Sequence, residues 1–151
     1  MEIVMESTAD HYRRLGATSL CSGFAVECLV SIEKYHTKKT PSALGSRAPE
    51  CQKFIEHTIA ALKEEAEAPS SIRRVYRELV TKKSINKRQL LAGWQNVLNV
   101  VVKIQQDQEP KEIQLNDSIK FLKGTITDFN DISEHLEKKL YGSSWSTRDL
   151  I

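Results

Sequence analysis

Apolar residues recur every three or four positions along almost the whole chain, and no segment alternates as a half-buried strand would. Prolines at 41, 49, 69 and 110 divide this pattern into helical stretches. The first is predicted from about Thr8 to His36, opened by Ser7 with Asp10. Its apolar face is Ala17, Cys21, Phe24, Cys28, Ile32 and Tyr35, widened by Leu20, Ala25 and Leu29. Gly16, Ser19 and Gly23 suggest a small-residue seam where another helix approaches closely. The second runs from about Pro49 to Ala68, with Phe54, Ile55, Ile59 and Leu62 inward. Glu64, Glu65 and Glu67 oppose the helix dipole there, so a frayed end is expected.

Pro69-Ser70-Ser71 is read as the stop of this helix and the cap of a short third one. Ile72, Val75, Tyr76, Leu79 and Val80 form the third helix's face. Asn86 with Gln89 forms a capping box for a fourth helix, about Lys87 to Gln108. Leu90, Leu91, Trp94, Val97, Leu98, Val101 and Ile104 give it the widest apolar arc, so it is expected at the centre. A fifth helix is predicted from about Asn116 or Asp117 to Tyr141. Leu115, Ile119, Leu122, Ile126, Phe129, Ile132, Leu136 and Leu140 set its rhythm, and Gly142 closes it. At 1.5 Å per residue this helix is roughly 39 Å long.

The expected fold is therefore all-α. It is a single-domain bundle of about five helices over residues 1–142, with two long antiparallel ones, followed by a flexible tail at 143–151. Trp145 is an isolated large apolar side chain in that tail and a candidate anchor for a partner or a second copy. Composition agrees with the class. Six glycines, four prolines and 7% aromatics in 151 residues are too few for a sandwich or barrel. With 40% hydrophobic residues the chain has enough apolar material for a core.

No signal-peptide pattern develops after Met1, and no run approaches the roughly 18 apolar residues of a membrane span, so a cytoplasmic protein without a membrane partner is expected. Cys21, Cys28 and Cys51 are odd in number and lack a C-x-x-C pair; they read as buried, reduced thiols. Glu33 and His36 form the chain's single Glu-x-x-His, beside Lys34 and Lys38, and bundle metal sites need two such motifs. Asp128, Asp131, Glu134 and His135 read as a solvated stripe on the fifth helix. No phosphate loop or nucleophile elbow occurs, so neither cofactor nor catalytic constellation is expected.

Charge is informative only when resolved along the chain. The net charge is +2, yet residues 69–88 hold seven basic residues against one acidic. Arg73, Arg74, Arg77, Lys82, Lys83, Lys87 and Arg88 are the candidate binding residues for an acidic partner or a phosphate. The bland alternative is a solvated face paired with acids of the second and fifth helices. Residues 78–94 resemble a helix-turn-helix in outline, but Lys83 falls where that motif has an apolar residue and Ser84 where it usually has glycine. The expected function is a small non-enzymatic interaction or regulatory protein, its partner a protein or a second copy as a homodimer. The alternative is a nucleic-acid-binding module acting through residues 73–88.

Overall fold

The computed structural model describes residues 17–39, 45 and 48–141, with side chains as far as Ile132. These residues form five helices and no strand: α1 (Ala17–Lys38), α2 (Ala48–Leu62), α3 (Ser70–Lys82), α4 (Lys87–Gln105) and α5 (Glu112–Tyr141). The fold is an all-α bundle. The Ser7–Asp10 cap, Gly16, Trp145 and the 143–151 tail lie outside the described residues.

Each helix buries the stripe its sequence provides. α1 buries Leu20, Cys21, Ala25, Cys28, Ile32 and Tyr35 and makes its most extensive contact with α5. α5 buries Leu115, Ser118, Leu122, Thr125, Phe129 and Ile132, a regular three-four repeat. Ile119 and Ile126, expected inward, are only partly buried, because the stripe is rotated toward Ser118 and Thr125. Asn96 of α4 compensates one of these polar residues, donating to Ser118 Oγ (2.9 Å) and to the Gln114 carbonyl (3.1 Å).

α4 packs chiefly on two helices, α2 and α5, and so does not hold the central place expected of it. α5, packed on α1, α3 and α4, is the more enclosed by neighbours, although Trp94 at the middle of α4 is fully buried. Phe54 and Phe121 meet the indole edge to face at 5.8 and 5.4 Å, and Phe24 stacks on Phe54 at 4.9 Å. Thr58, Tyr76 and Trp94 turn their buried polar atoms toward one another without reaching full hydrogen-bond geometry. All three cysteines are buried, with Cys28 of α1 against Cys51 of α2.

Several boundaries differ from the sequence expectation. α2 stops at Leu62, not near Ala68, because Glu64 adopts a left-handed conformation (φ 59°). Glu65 N then donates to Ala60 O (2.9 Å) and Glu64 N to Ala61 O (3.1 Å), a Schellman closure in place of a frayed end. α4 stops at Gln105 by the same device, with Asp107 at φ 59° and Gln108 N donating to Lys103 O (2.7 Å). Lys39 (φ 60°) closes α1 and Ser84 (φ 55°) follows α3. Four helix ends thus use non-glycine residues where glycine is the usual choice.

α3 starts at Ser70 after Pro69 and has no side-chain cap, whereas Asn86 caps α4 as expected, accepting from Gln89 N (3.1 Å). α5 begins at Glu112, earlier than Asn116. The proposed Gly16–Ser19–Gly23 seam is absent where it is described: Ser19 and Gly23 are exposed and nothing lies within 4 Å of a Cβ at Gly23. Among the described residues the closely packed glycine is Gly93 of α4, covered by Phe121.

Candidate functional site

The basic residues run along α3, from Arg73 and Arg74 near its start to Lys82 at its end, and over the turn into α4. Ile72, Val75, Tyr76 and Leu79 fix the rotation of α3 by facing the core. That leaves Arg74, Arg77 and Lys82 in solvent. Ile85 packs against the core and folds the 83–86 turn inward, and the Asn86 cap aims Lys87 and Arg88 out of the first turn of α4.

Two of the seven cations are spent on carboxylates, and both acids come from the elements the bland alternative named. Lys83 Nζ meets Asp131 Oδ2 of α5 at 2.7 Å, and Lys87 pairs with Glu64 beyond the end of α2. The Asp131 carboxylate holds Lys83 above the ordinary lysine value. Lys87 holds Glu64 below the usual carboxylate value by hydrogen bond and charge. Asp128, beside the Lys83–Asp131 pair, is pushed up by partial burial against the pull of Lys83. Arg73, Arg74, Arg77, Lys82 and Arg88 make no ion pair among the described residues.

Arg73 departs from the expected solvated side. It is half-buried, and its Nε–H is enclosed without an acceptor, a desolvated donor that costs about 1–3 kcal/mol if nothing satisfies it. Arg73 lines a pocket of about 240 Å³ between α2, α3 and the start of α4. Arg77 and Lys87 line its polar side with Glu64. Val80, half-buried, is the apolar side chain open to it, and the buried Leu62 and Tyr76 border it. Arg73 and Arg77 stand one turn apart on one face of α3. Of the three acids expected at the end of the second helix, Glu64 is the one the tertiary fold brings to Lys87.

The helix-turn-helix resemblance is limited to its outline. Ser84 does adopt the left-handed conformation the motif's glycine supplies. However, α3 and α4 each pack mainly on other helices and scarcely on each other. Leu90, Trp94, Val97 and Val101 commit one side of α4 to the core.

A second pocket of about 270 Å³ lies between the ends of α1 and α4, lined by Tyr35, Lys39, Ile104, Asp107, Gln108 and Glu109. Beside it Glu112 receives His36 Nε2 (2.5 Å) and Lys39 Nζ (3.4 Å), and His36 followed by Lys39 holds the Glu112 carboxyl below its ordinary value. Glu33 points instead to Lys123 (3.7 Å), so the Glu-x-x-His pair does not converge. Among the described residues no group of three or more His, Cys, Asp or Glu is placed to hold a metal ion, and no helix is long and apolar enough to cross a membrane. The large apolar side chains exposed among the described residues are Val26 (41%) and Val30 (44%) on α1 and Ile113 (66%) on α5. No family model matches the chain, and no curated protein or solved structure resembles it significantly.

Proposed function

We propose that the chain is a small non-enzymatic helical interaction protein. Its docking face is formed by the basic residues of α3 and the start of α4, and its partner is a protein presenting an acidic surface. One observation carries this reading: five cations, Arg73, Arg74, Arg77, Lys82 and Arg88, lack a carboxylate partner among the described residues, in a chain whose net charge is only +2. A concentrated field of one sign steers a complementary surface and fixes its register. Arginine suits such a face because its planar fork grips carboxylates bidentately.

The test uses the outer cations Arg74, Lys82 and Arg88, changed together to Glu. Wild-type protein at low salt should retrieve a stoichiometric protein partner that the triple variant loses. Identical retrieval by both proteins overturns the reading. Light scattering on the same pair asks whether that partner is a second copy. Titration with short duplex DNA and single-stranded RNA is run in parallel. Strongly salt-dependent binding to either, lost in the triple variant and unaccompanied by a protein partner, would replace the protein partner with nucleic acid.

A further inference from the structure

The pocket beside the basic residues of α3 has a composition that a merely solvated face does not require. Two arginines one turn apart line it beside Val80, with the buried Leu62 and Tyr76 at its border. The third cation, Lys87, is already matched by Glu64, so the charge left unmatched at the pocket is that of Arg73 and Arg77. The volume, about 240 Å³, is just under the range of pockets that enclose drug-sized ligands, so it admits a small body or a single side chain.

We propose that this pocket binds an organic phosphate monoester, the dianion on Arg73 and Arg77 and the carbon skeleton toward Val80, the half-buried apolar side chain of its wall. Two arginines match a phosphate dianion in charge, and each guanidinium offers it parallel, charge-assisted hydrogen bonds. The apolar wall discriminates an ester from inorganic phosphate, which has nothing to lay against it. Glu64 sets the rim: its carboxylate neutralises Lys87 and repels an incoming anion. The proposal rests on the docking face described above but uses only two of its five cations, Arg73 and Arg77. Its ligand comes either from a phosphorylated side chain of the partner or from a free organic phosphate.

The test is a calorimetric and amide-shift titration of the full chain with phenyl phosphate at moderate salt. One saturable site is expected, with shifts centred on residues 61–64, 73–81 and 87. Inorganic phosphate and phenylacetate, which lack the body and the second charge respectively, should bind about tenfold more weakly. Arg73→Gln and Arg77→Gln should each weaken phenyl phosphate by about tenfold or more, with circular dichroism confirming that the variants fold. Arg77→Lys should restore only part of the loss, because it keeps the charge without the fork. Glu64→Gln should tighten binding severalfold. The Arg74, Lys82, Arg88 triple change should leave it within about threefold at salt that screens more distant charges. That variant separates the two proposals: the docking face can fail while the pocket binds, and the reverse.

A peptide bearing one phosphotyrosine assigns the source. A gain over phenyl phosphate supports the partner's side chain, and equal affinity supports a free organic phosphate. Absence of saturable binding, inorganic phosphate binding as tightly as phenyl phosphate, or indifference to Arg77→Gln overturns the proposal.

Discussion

Phe121 of α5 lies directly on Gly93 of α4, so that a Cβ at Gly93 would stand 2.1 Å from the ring's Cε1. The same ring meets Trp94 at 5.4 Å, edge to face, which leaves it little freedom to withdraw. Gly23 on α1 is the opposite case, a helical glycine in open space. The same substitution should therefore act with opposite sign at the two sites. Gly23→Ala should stabilise by about 0.5–1 kcal/mol, the intrinsic helix preference of alanine. Gly93→Ala gains that preference too, but overpacking costs about 1–3 kcal/mol and should leave it net destabilised. Urea midpoints of the two variants check this, and equal shifts in one direction would contradict the packing.

The left-handed helix ends make a second pair of predictions. Ser84 and Asp107 hold φ near 55–59° with exposed side chains. Glycine takes that conformation without a Cβ penalty. Ser84→Gly and Asp107→Gly should each raise stability by about 0.4–1 kcal/mol, offset partly by the greater freedom of the unfolded chain. Ser84→Ala keeps the penalty and should give no such gain. Thermal or urea unfolding of the three variants decides the point.

Acid should weaken the bundle through two carboxylates in particular. Glu64 and Glu112 are held below the ordinary glutamate value of 4.5 by Lys87 and by His36 with Lys39. A depressed folded-state value means that their contribution is present above pH 4.5 and is lost as pH falls through the lowered values. Asp128, raised above 3.8 by partial burial, acts in the other sense: its contribution is present below 3.8 and lost as pH rises through its raised value. Both glutamates are exposed, so the effect is small and salt-screened. Glu64→Gln and Glu112→Gln should each flatten the fall in unfolding midpoint below pH 4.5 at low salt. Profiles parallel to wild type would rule out both pairs as contributors.

The thiols should be silent in the native protein. Burial pushes Cys21 far above its ordinary value, and the neighbouring Cys51 thiol followed by burial does the same for Cys28. A disulfide reagent reacts with thiolate, and access is blocked as well. At mildly alkaline pH these thiols should react only at the rate of unfolding, and all three cysteines within seconds in denaturant. Fast native reaction at Cys21 or Cys28 would place that thiol outside the core described above.

Much of this architecture is legible in the chain because the helical period is local. The faces of α3 and α4 and the Asn86 cap follow from residues three or four apart, and so does the concentration of charge at 73–88. What escapes is set by partners distant in sequence. Gly23 and Gly93 look alike in a helix; only the placement of Phe121 tells them apart. Glu64 looks like one of three misplaced acids at a helix end, yet its left-handed turn makes it the counter-charge of Lys87. Cys28 and Cys51 show no motif because two different helices bring them together. α2 and α4 end earlier than their apolar pattern for a related reason: a Glu or an Asp in the left-handed position carries no glycine to mark it.

The sparse contact between α3 and α4 has a mechanical corollary. Arg73 and Arg77 stand on one of these helices and Lys87 on the other, and both helices rest on α2. The gap between the two arginines and the lysine is thus a dimension gauged by a third helix, as jaws are by the block they are bolted to. α2 is seated at its other turns by Phe54 against Trp94 and by Cys51 against Cys28. A repacking of those buried contacts, remote from every charged residue of the basic pocket, alters its span before it alters any charge in it.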